Sequence, residues 1–167
     1  MWQTRPAVAA LWSGGDRGFM RYAHTNIVAH DWRALADFYV AALDCEILLP
    51  ERDHHGDWVG ELTGIDGAAI TGAHLRLPGY DEGGPTLEIF EYNLPADCPP
   101  PALNRYGLAH LAFEVSDVEA ARQRFIAAGG SELGALVTRP VAGAGTITLI
   151  YLRDPEGNIV ELQRWSE

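Results

Sequence analysis

Apolar and polar positions along the chain fall into two similar blocks. Tyr22 to Ala29 reads as a short strand, and Asp31 is placed to cap the helix that follows. Leu35, Phe38, Tyr39 and Ala42 then recur at three- and four-residue spacing, which predicts a helix ending near Leu43 with one face in the core. Cys45 to Leu49 reads as a strand closed by Pro50. Arg52 to Gly67, rich in His, Asp and Gly, reads as a loop with a short strand at Trp58 to Leu62. Ala68 to Leu77 and Thr86 to Tyr92 are two further strands joined by the turn-rich PGYDEGGP.

The order then repeats. Leu108 to Val115 is a strand, Asp117 to Ala128 a helix stopped by Gly129 and Gly130, and Glu132 to Thr138 a strand. After the AGAG bend come a strand at Thr146 to Leu152, the turn DPEGN at Asp154 to Asn158, and a last strand at Ile159 to Arg164. Gly157 suits the left-handed backbone that such a turn needs. Sliding the chain along itself by 86 positions lays His24 on His110, Asp31 on Asp117, Ala34 on Ala120, Tyr39 on Phe125 and Ala42 on Ala128. Each block is thus a strand, a helix and three strands. Asn93 to Tyr106, with Pro95, Pro99, Pro100 and Pro101, reads as the linker. The expected organisation is one domain: a flexible extension over 1–19, with Met20 as a candidate start, a first module over 20–92, the linker over 93–106, and a second module over 107–167.

Composition narrows the function. A hydrophobic share of 47% with 21% charged residues fits a folded soluble protein. The formal charge of -11, from 23 acids against 12 Lys and Arg, speaks against nucleic acid and anionic membranes as partners, since both are polyanions. No apolar run approaches the ~20 residues that cross a bilayer, and no signal peptide is evident, so a cytoplasmic protein is expected. Cys45 and Cys98 share no motif and are expected to be buried thiols.

Each module ends on a strand with one acid between aliphatics: Leu87-Glu88-Ile89 and Val160-Glu161-Leu162. Alternation puts the aliphatics on one face and the carboxylate on the other. A lone strand carboxylate is ordinarily solvated, and a lone histidine is ordinarily structural. Here a His and a Glu recur together, at the start and end of both modules. An approximate twofold between modules would bring His24, Glu88, His110 and Glu161 toward one cleft, and two imidazoles with two carboxylates suit a divalent transition metal.

With these residues in place, the chain resembles the vicinal oxygen chelate superfamily, which includes glyoxalase I, methylmalonyl-CoA epimerase, extradiol dioxygenases, and fosfomycin and bleomycin resistance proteins. The resemblance spans about Arg21 to Trp165 and is carried by YAHTNIVAHD with ADFYVAALDCEI, PTLEIF, GLAHLAFEVSDVEAARQRFIAAGG and DPEGNIVELQRW. It implies an α+β fold of two paired βαβββ modules, whose curved mixed sheet encloses a metal-binding cleft. It also implies His24, Glu88, His110 and Glu161 as ligands of one divalent ion (Ni, Co, Zn, Mn or Fe), in the pattern of bacterial glyoxalase I. A homodimer is expected, with modules pairing within one chain or across two.

Four protein ligands on an octahedron leave two adjacent positions for neighbouring oxygens of a substrate. The expected activity is therefore proton transfer next to a carbonyl, by an isomerase, epimerase or lactoylglutathione-lyase-like enzyme acting on a small molecule. The resemblance to glyoxalase I assigns the base to Glu161 or Glu88. His74, on the strand that aligns loosely with the one carrying an epimerase's second carboxylate, is a candidate second acid/base, with Glu61 as a weaker substitute. The alternatives are an extradiol-type dioxygenase using two His and one Glu, and a metal-free drug-binding resistance protein. Trp58, Phe90, Tyr92 and Tyr151 are candidate pocket aromatics, and Arg76 and Arg153 candidate contacts for an anionic substrate. His54 and His55 are expected in a solvated loop, and His30 in a turn.

Overall fold

Both helix starts are set by the aspartates that the repeat superimposes. Asp31 Oδ1 and Asp117 Oδ1 each accept from the backbone N–H three residues on, at 3.0 Å, satisfying a donor that the first helical turn leaves free. The computed structural model describes residues 20–167, so the extension expected over 1–19 lies outside the described residues. Along the chain follow β1 (His24–Val28), α1 (Trp32–Leu43), β2 (Glu46–His54), α2 (Asp57–Thr63), β3 (Ile70–Arg76) and β4 (Thr86–Tyr92). Then come β5 (Leu111–Glu114), α3 (Val118–Ala127), β6 (Ser131–Glu132), β7 (Val137–Val141), β8 (Gly145–Arg153) and β9 (Ile159–Ser166).

Two mixed sheets result, so the α+β class is confirmed. The first has order β1-β4-β3-β2 and the second β5-β9-β8-β6, with β7 also paired to β8. In each, the first strand lies parallel to the last, β1 on β4 and β5 on β9, while the other neighbours are antiparallel. A helix must therefore carry the chain across each sheet, and its apolar stripe seals one sheet face.

A single core joins the two sheets. It holds Leu35, Phe38 and Tyr39 of α1, Leu75, Leu87 and Ile89 of the first sheet, and Phe125, Ile150, Leu152, Val160 and Leu162 of the second unit. Each such side chain stabilises by about 1.5–3 kcal/mol when fully buried. The rings of Phe38 and Phe125 meet edge to face with centroids 4.8 Å apart. Buried Tyr39 donates its hydroxyl to Asp154 Oδ2 at 3.0 Å, and Arg124 Nε donates to the Ala42 carbonyl at 2.7 Å. Asp154 also holds its own turn, its Oδ1 accepting from the N–H groups of Glu156 and Asn158 at 3.0 and 2.9 Å. Burial pushes the Asp154 carboxyl up in spite of these bonds. At the other end of α1, Glu156 accepts from the backbone N–H groups of His30 and Asp31 at 2.8–2.9 Å, so His30 does belong to a turn.

Several sequence expectations change. The stretch expected as loop and short strand at Trp58 to Leu62 is the helix α2, closed by left-handed Gly64, whose N–H bonds the Gly60 carbonyl. Val59 anchors it by packing, fully buried, with Ala68 and Ile70, a tertiary contact that local propensity does not reveal. β2 does not stop at Pro50. It continues to His54 with a register shift between Leu48 and Arg52, an irregularity that accommodates a residue lacking an N–H. The strand expected over Glu132 to Thr138 splits into β6 and β7, and the strand expected from Leu108 begins only at Leu111. Cys45 is buried as expected, its thiol pushed up to about 12 by burial and then by the Asp44 charge. Cys98 is exposed, contrary to expectation, because the Pro-rich segment that carries it joins neither sheet. Among the described residues, no helix is long and apolar enough to cross a membrane.

Tyr39→Phe removes the donor that Asp154 meets in the core and is expected to cost about 1–3 kcal/mol. Urea denaturation followed by circular dichroism measures it, and a midpoint equal to wild type would show that the bond contributes nothing.

Candidate metal centre

Register decides which side chains meet on the face away from the helices. Glu88 of β4 lies directly opposite His74 of β3 and beside Asn26 of β1. Directly paired residues of neighbouring strands share a face. Leu87 and Ile89 point the other way into the core, so Glu88, although buried, is held on the opposite side.

The two oxygens of Glu88 have different neighbours. Oε1 lies 2.9 Å from His74 Nε2, a hydrogen-bond distance. Oε2 accepts from Asn26 Nδ2 at 2.9 Å and lies 3.6 Å from His24 Nε2, too far for a good hydrogen bond. Donor atoms on adjacent corners of a sphere with ~2.1 Å bonds lie about 3.0 Å apart in an octahedron and about 3.4 Å in a tetrahedron. The His24–Glu88 spacing thus resembles two ligands of one ion, and the His74–Glu88 spacing a direct bond. His74 Nδ1 is 2.9 Å from Thr86 Oγ1. Burial holds His74 below its usual pKa, with the charges of Arg52 and His24 lowering it further against Glu88, which raises it. The neutral ring then carries its proton on Nε2, toward Glu88, and accepts from the Thr86 hydroxyl at Nδ1.

The second unit repeats the device. His110 Nε2 lies 3.3 Å from Glu161 Oε2, and Glu161 is buried between core residues Val160 and Leu162. Tyr151 stands opposite Glu161 as His74 stands opposite Glu88. Its phenol is raised first by its hydrogen bond to Glu161 and then by burial, and its ring lies 5.2 Å from that of His110. His110 Nδ1 is buried without a hydrogen-bond partner among the described residues. Such an atom costs free energy, and binding sites are where that cost is tolerated.

The four sequence-derived residues therefore form two His–Glu pairs. Among the described residues, the group of three or more candidate ligands whose atoms all lie within 4.8 Å is His24, His74 and Glu88. Two imidazoles and a carboxylate are a donor chemistry that fits a divalent transition metal, with His74 joining the set only if its Nε2 gives up the proton and the bond to Glu88. Asn26 and Thr86 carry no signal in the sequence, because only strand pairing brings them to Glu88 and His74.

Other candidates lie elsewhere or are engaged. Glu61 is exposed on α2 and lines a depression with His55 and Asp57. Arg76 pairs with Glu46 at 3.3 Å, and Arg153 bonds the carbonyls of Pro101 and Gly157. His55 faces Asp53 at 3.6 Å in an exposed pair. Phe90 extends the wall next to His74, with ring centroids 6.2 Å apart, and His54 lies 6.4 Å from Phe90 and 5.3 Å from Trp58. Tyr92 joins the small cluster under α2.

Two similar units, each with a helix laid across a mixed sheet and a His–Glu pair, define the fold class, and comparison with known proteins agrees. The family model of the Glyoxalase/Bleomycin resistance protein/Dioxygenase superfamily matches residues 21–162, and the chain belongs to that superfamily. A glyoxalase family protein from Bacillus cereus superposes with a TM-score of 0.76 at 20% identity, over 93% of this chain and 100% of that one. A glyoxylase/bleomycin resistance protein/dioxygenase domain from Frankia gives 0.58 at 22% identity, over 90% and 95%. A family enzyme from Burkholderia phytofirmans gives 0.56 at 14%, over 86% and 98%. At these identities the likeness speaks for the fold alone. No curated protein matches the sequence.

Gly72 lets the wall close. A Cβ there would fall 2.2 Å from the Ile89 carbonyl and 2.4 Å from Phe90 Cδ1. Gly72→Ala is expected to displace Phe90 and to cost about 1–3 kcal/mol in urea denaturation, as overpacking does. Wild-type stability would show that the two strands are not this close.

Proposed function

We propose that the protein is a divalent-metal-dependent enzyme that moves a proton next to a carbonyl of a small oxygenated substrate, as an isomerase, epimerase or lactoylglutathione-lyase-like catalyst. The observation that carries this reading is the repeated His–Glu pair, at 3.6 Å in one module and 3.3 Å in the other, with a polar ring, His74 or Tyr151, directly opposite each carboxylate. His24 and Glu88 hold the ion from the first module, and His110 and Glu161 are the corresponding pair from the second. Assembly of the full set in a homodimer accounts for the two pairs standing apart in one chain.

A bound divalent ion polarises a carbonyl and makes the adjacent C–H more acidic. The residues do the rest. Glu161, buried and aimed to the same side as His110, is the base that takes the proton. His74 carries an Nε2 proton fixed in direction by Thr86 and Glu88, so it delivers or receives a proton at a second face. Asn26 keeps Glu88 Oε2 turned toward His24. Two carboxylates neutralise the ion, which leaves the site suited to an uncharged or singly charged chelating group.

A second reading has its own support: His24, His74 and Glu88 alone make the two-His, one-carboxylate set of non-haem iron oxygenases. Solvent-deuterium exchange separates the two. Metal-loaded protein is expected to exchange the proton next to the carbonyl of 2-hydroxy ketone and hemithioacetal test compounds without consuming oxygen. Glu161→Gln and His74→Ala are expected to slow exchange by about 100-fold or more, with His74→Ala retaining its metal. Oxygen uptake without exchange would instead establish the oxygenase.

A further inference from the structure

Among the described residues, a cation beside this cleft is tied to no acid. Arg52 pairs with Gly72, so its side chain leaves β2 on the face that carries His74, Glu88 and Phe90, whereas Glu51 and Asp53 on either side are exposed to solvent. Gly72 has no side chain to cover it, and Arg52 is close enough to His74 to depress its pKa. Among the described residues Arg52 makes no ion pair, and its guanidinium bonds only the nearby Pro50 carbonyl. The arginines that could be mistaken for this role, Arg76 and Arg153, are engaged elsewhere. Next along the same face come Phe90, His54 and, from α2, half-exposed Trp58, each ring meeting the next at a steep angle.

We infer that Arg52 and the Phe90–His54–Trp58 wall form a subsite for an aromatic carboxylate, which makes the substrate of the proposed reaction a flat-bodied organic anion. The guanidinium fork matches a carboxylate with two parallel hydrogen bonds, and in a chain of net charge -11 an unpaired cation at a cleft is a selective device for an anion. The aromatic wall takes the planar body by edge and face contact, as rings prefer. α2 has no counterpart in the second module, so this wall exists on one side of the repeat only. The inference adds a substrate class to the proposed reaction, but the subsite stands on residues that hold no metal.

The test therefore uses metal-free, EDTA-treated protein, with benzoate as probe and benzamide as its uncharged counterpart. The indole N–H resonance of Trp58, identified by its absence in Trp58→Phe, is followed by NMR during titration. Benzoate is expected to shift that resonance and to saturate at a concentration about tenfold lower than benzamide, the scale of a charge-assisted hydrogen bond. Arg52→Gln is expected to abolish the difference and Arg52→Lys to restore part of it, with folding checked by circular dichroism. Equal binding of benzoate and benzamide, an unchanged preference in Arg52→Gln, or benzoate shifts that bypass Trp58 would each overturn the subsite. Failure of metal binding would leave this result untouched, so the two readings fail separately.

Discussion

The alternation of side chains on β4 and β9 is the constraint on which the rest depends. Leu87 and Ile89, like Val160 and Leu162, are committed to the core beneath the helices, so the acid between each pair can point only to the opposite face. A slip of one residue would put a carboxylate among aliphatics and expose the aliphatics, and burying an unpaired charge costs several kcal/mol. Folding energy thus fixes the direction of the two glutamates. The core positions the site without touching it.

Around each glutamate the sheet supplies neighbours of different kinds. Asn26, His24 and His74 surround Glu88, whereas Ala112, His110 and Tyr151 stand at the matching places around Glu161. An imidazole opposite one acid and a phenol opposite the other give the two glutamates different polar partners on one frame. The link between modules is polar as well as apolar: the Tyr39–Asp154 bond and the Glu156 contacts tie α1 of the first unit to the β8–β9 turn of the second. Changes in that turn therefore bear on how the first unit is held.

Much of this was legible in the sequence, for physical reasons. The helical stripe of Leu35, Phe38, Tyr39 and Ala42 and the capping aspartates are local signals, and both helices appear where these signals put them. The strand acids were legible because alternation is local too. What local signals could not show was pairing. Asn26 and Arg52 acquire meaning only from the register that sets them opposite Glu88 and Gly72, Thr86 from its diagonal place two residues from Glu88, where its hydroxyl reaches His74, and His74 joins the first His–Glu pair because it stands opposite Glu88. α2 was missed because a Gly- and His-rich stretch has little helical propensity, and Val59 seated on Ala68 and Ile70 overrides it. Arg76 and Arg153 stand out as cations, but Glu46 and the Pro101 carbonyl, which engage them, are distant in sequence.

The central claim is that the paired histidines and glutamates hold a metal. Elemental analysis after loading with nickel or zinc and gel filtration tests it most directly, on wild type beside Glu88→Gln and Glu161→Gln. The account predicts a stoichiometric divalent ion in the wild-type protein and a large loss in each variant. Equally little metal in all three proteins would contradict it.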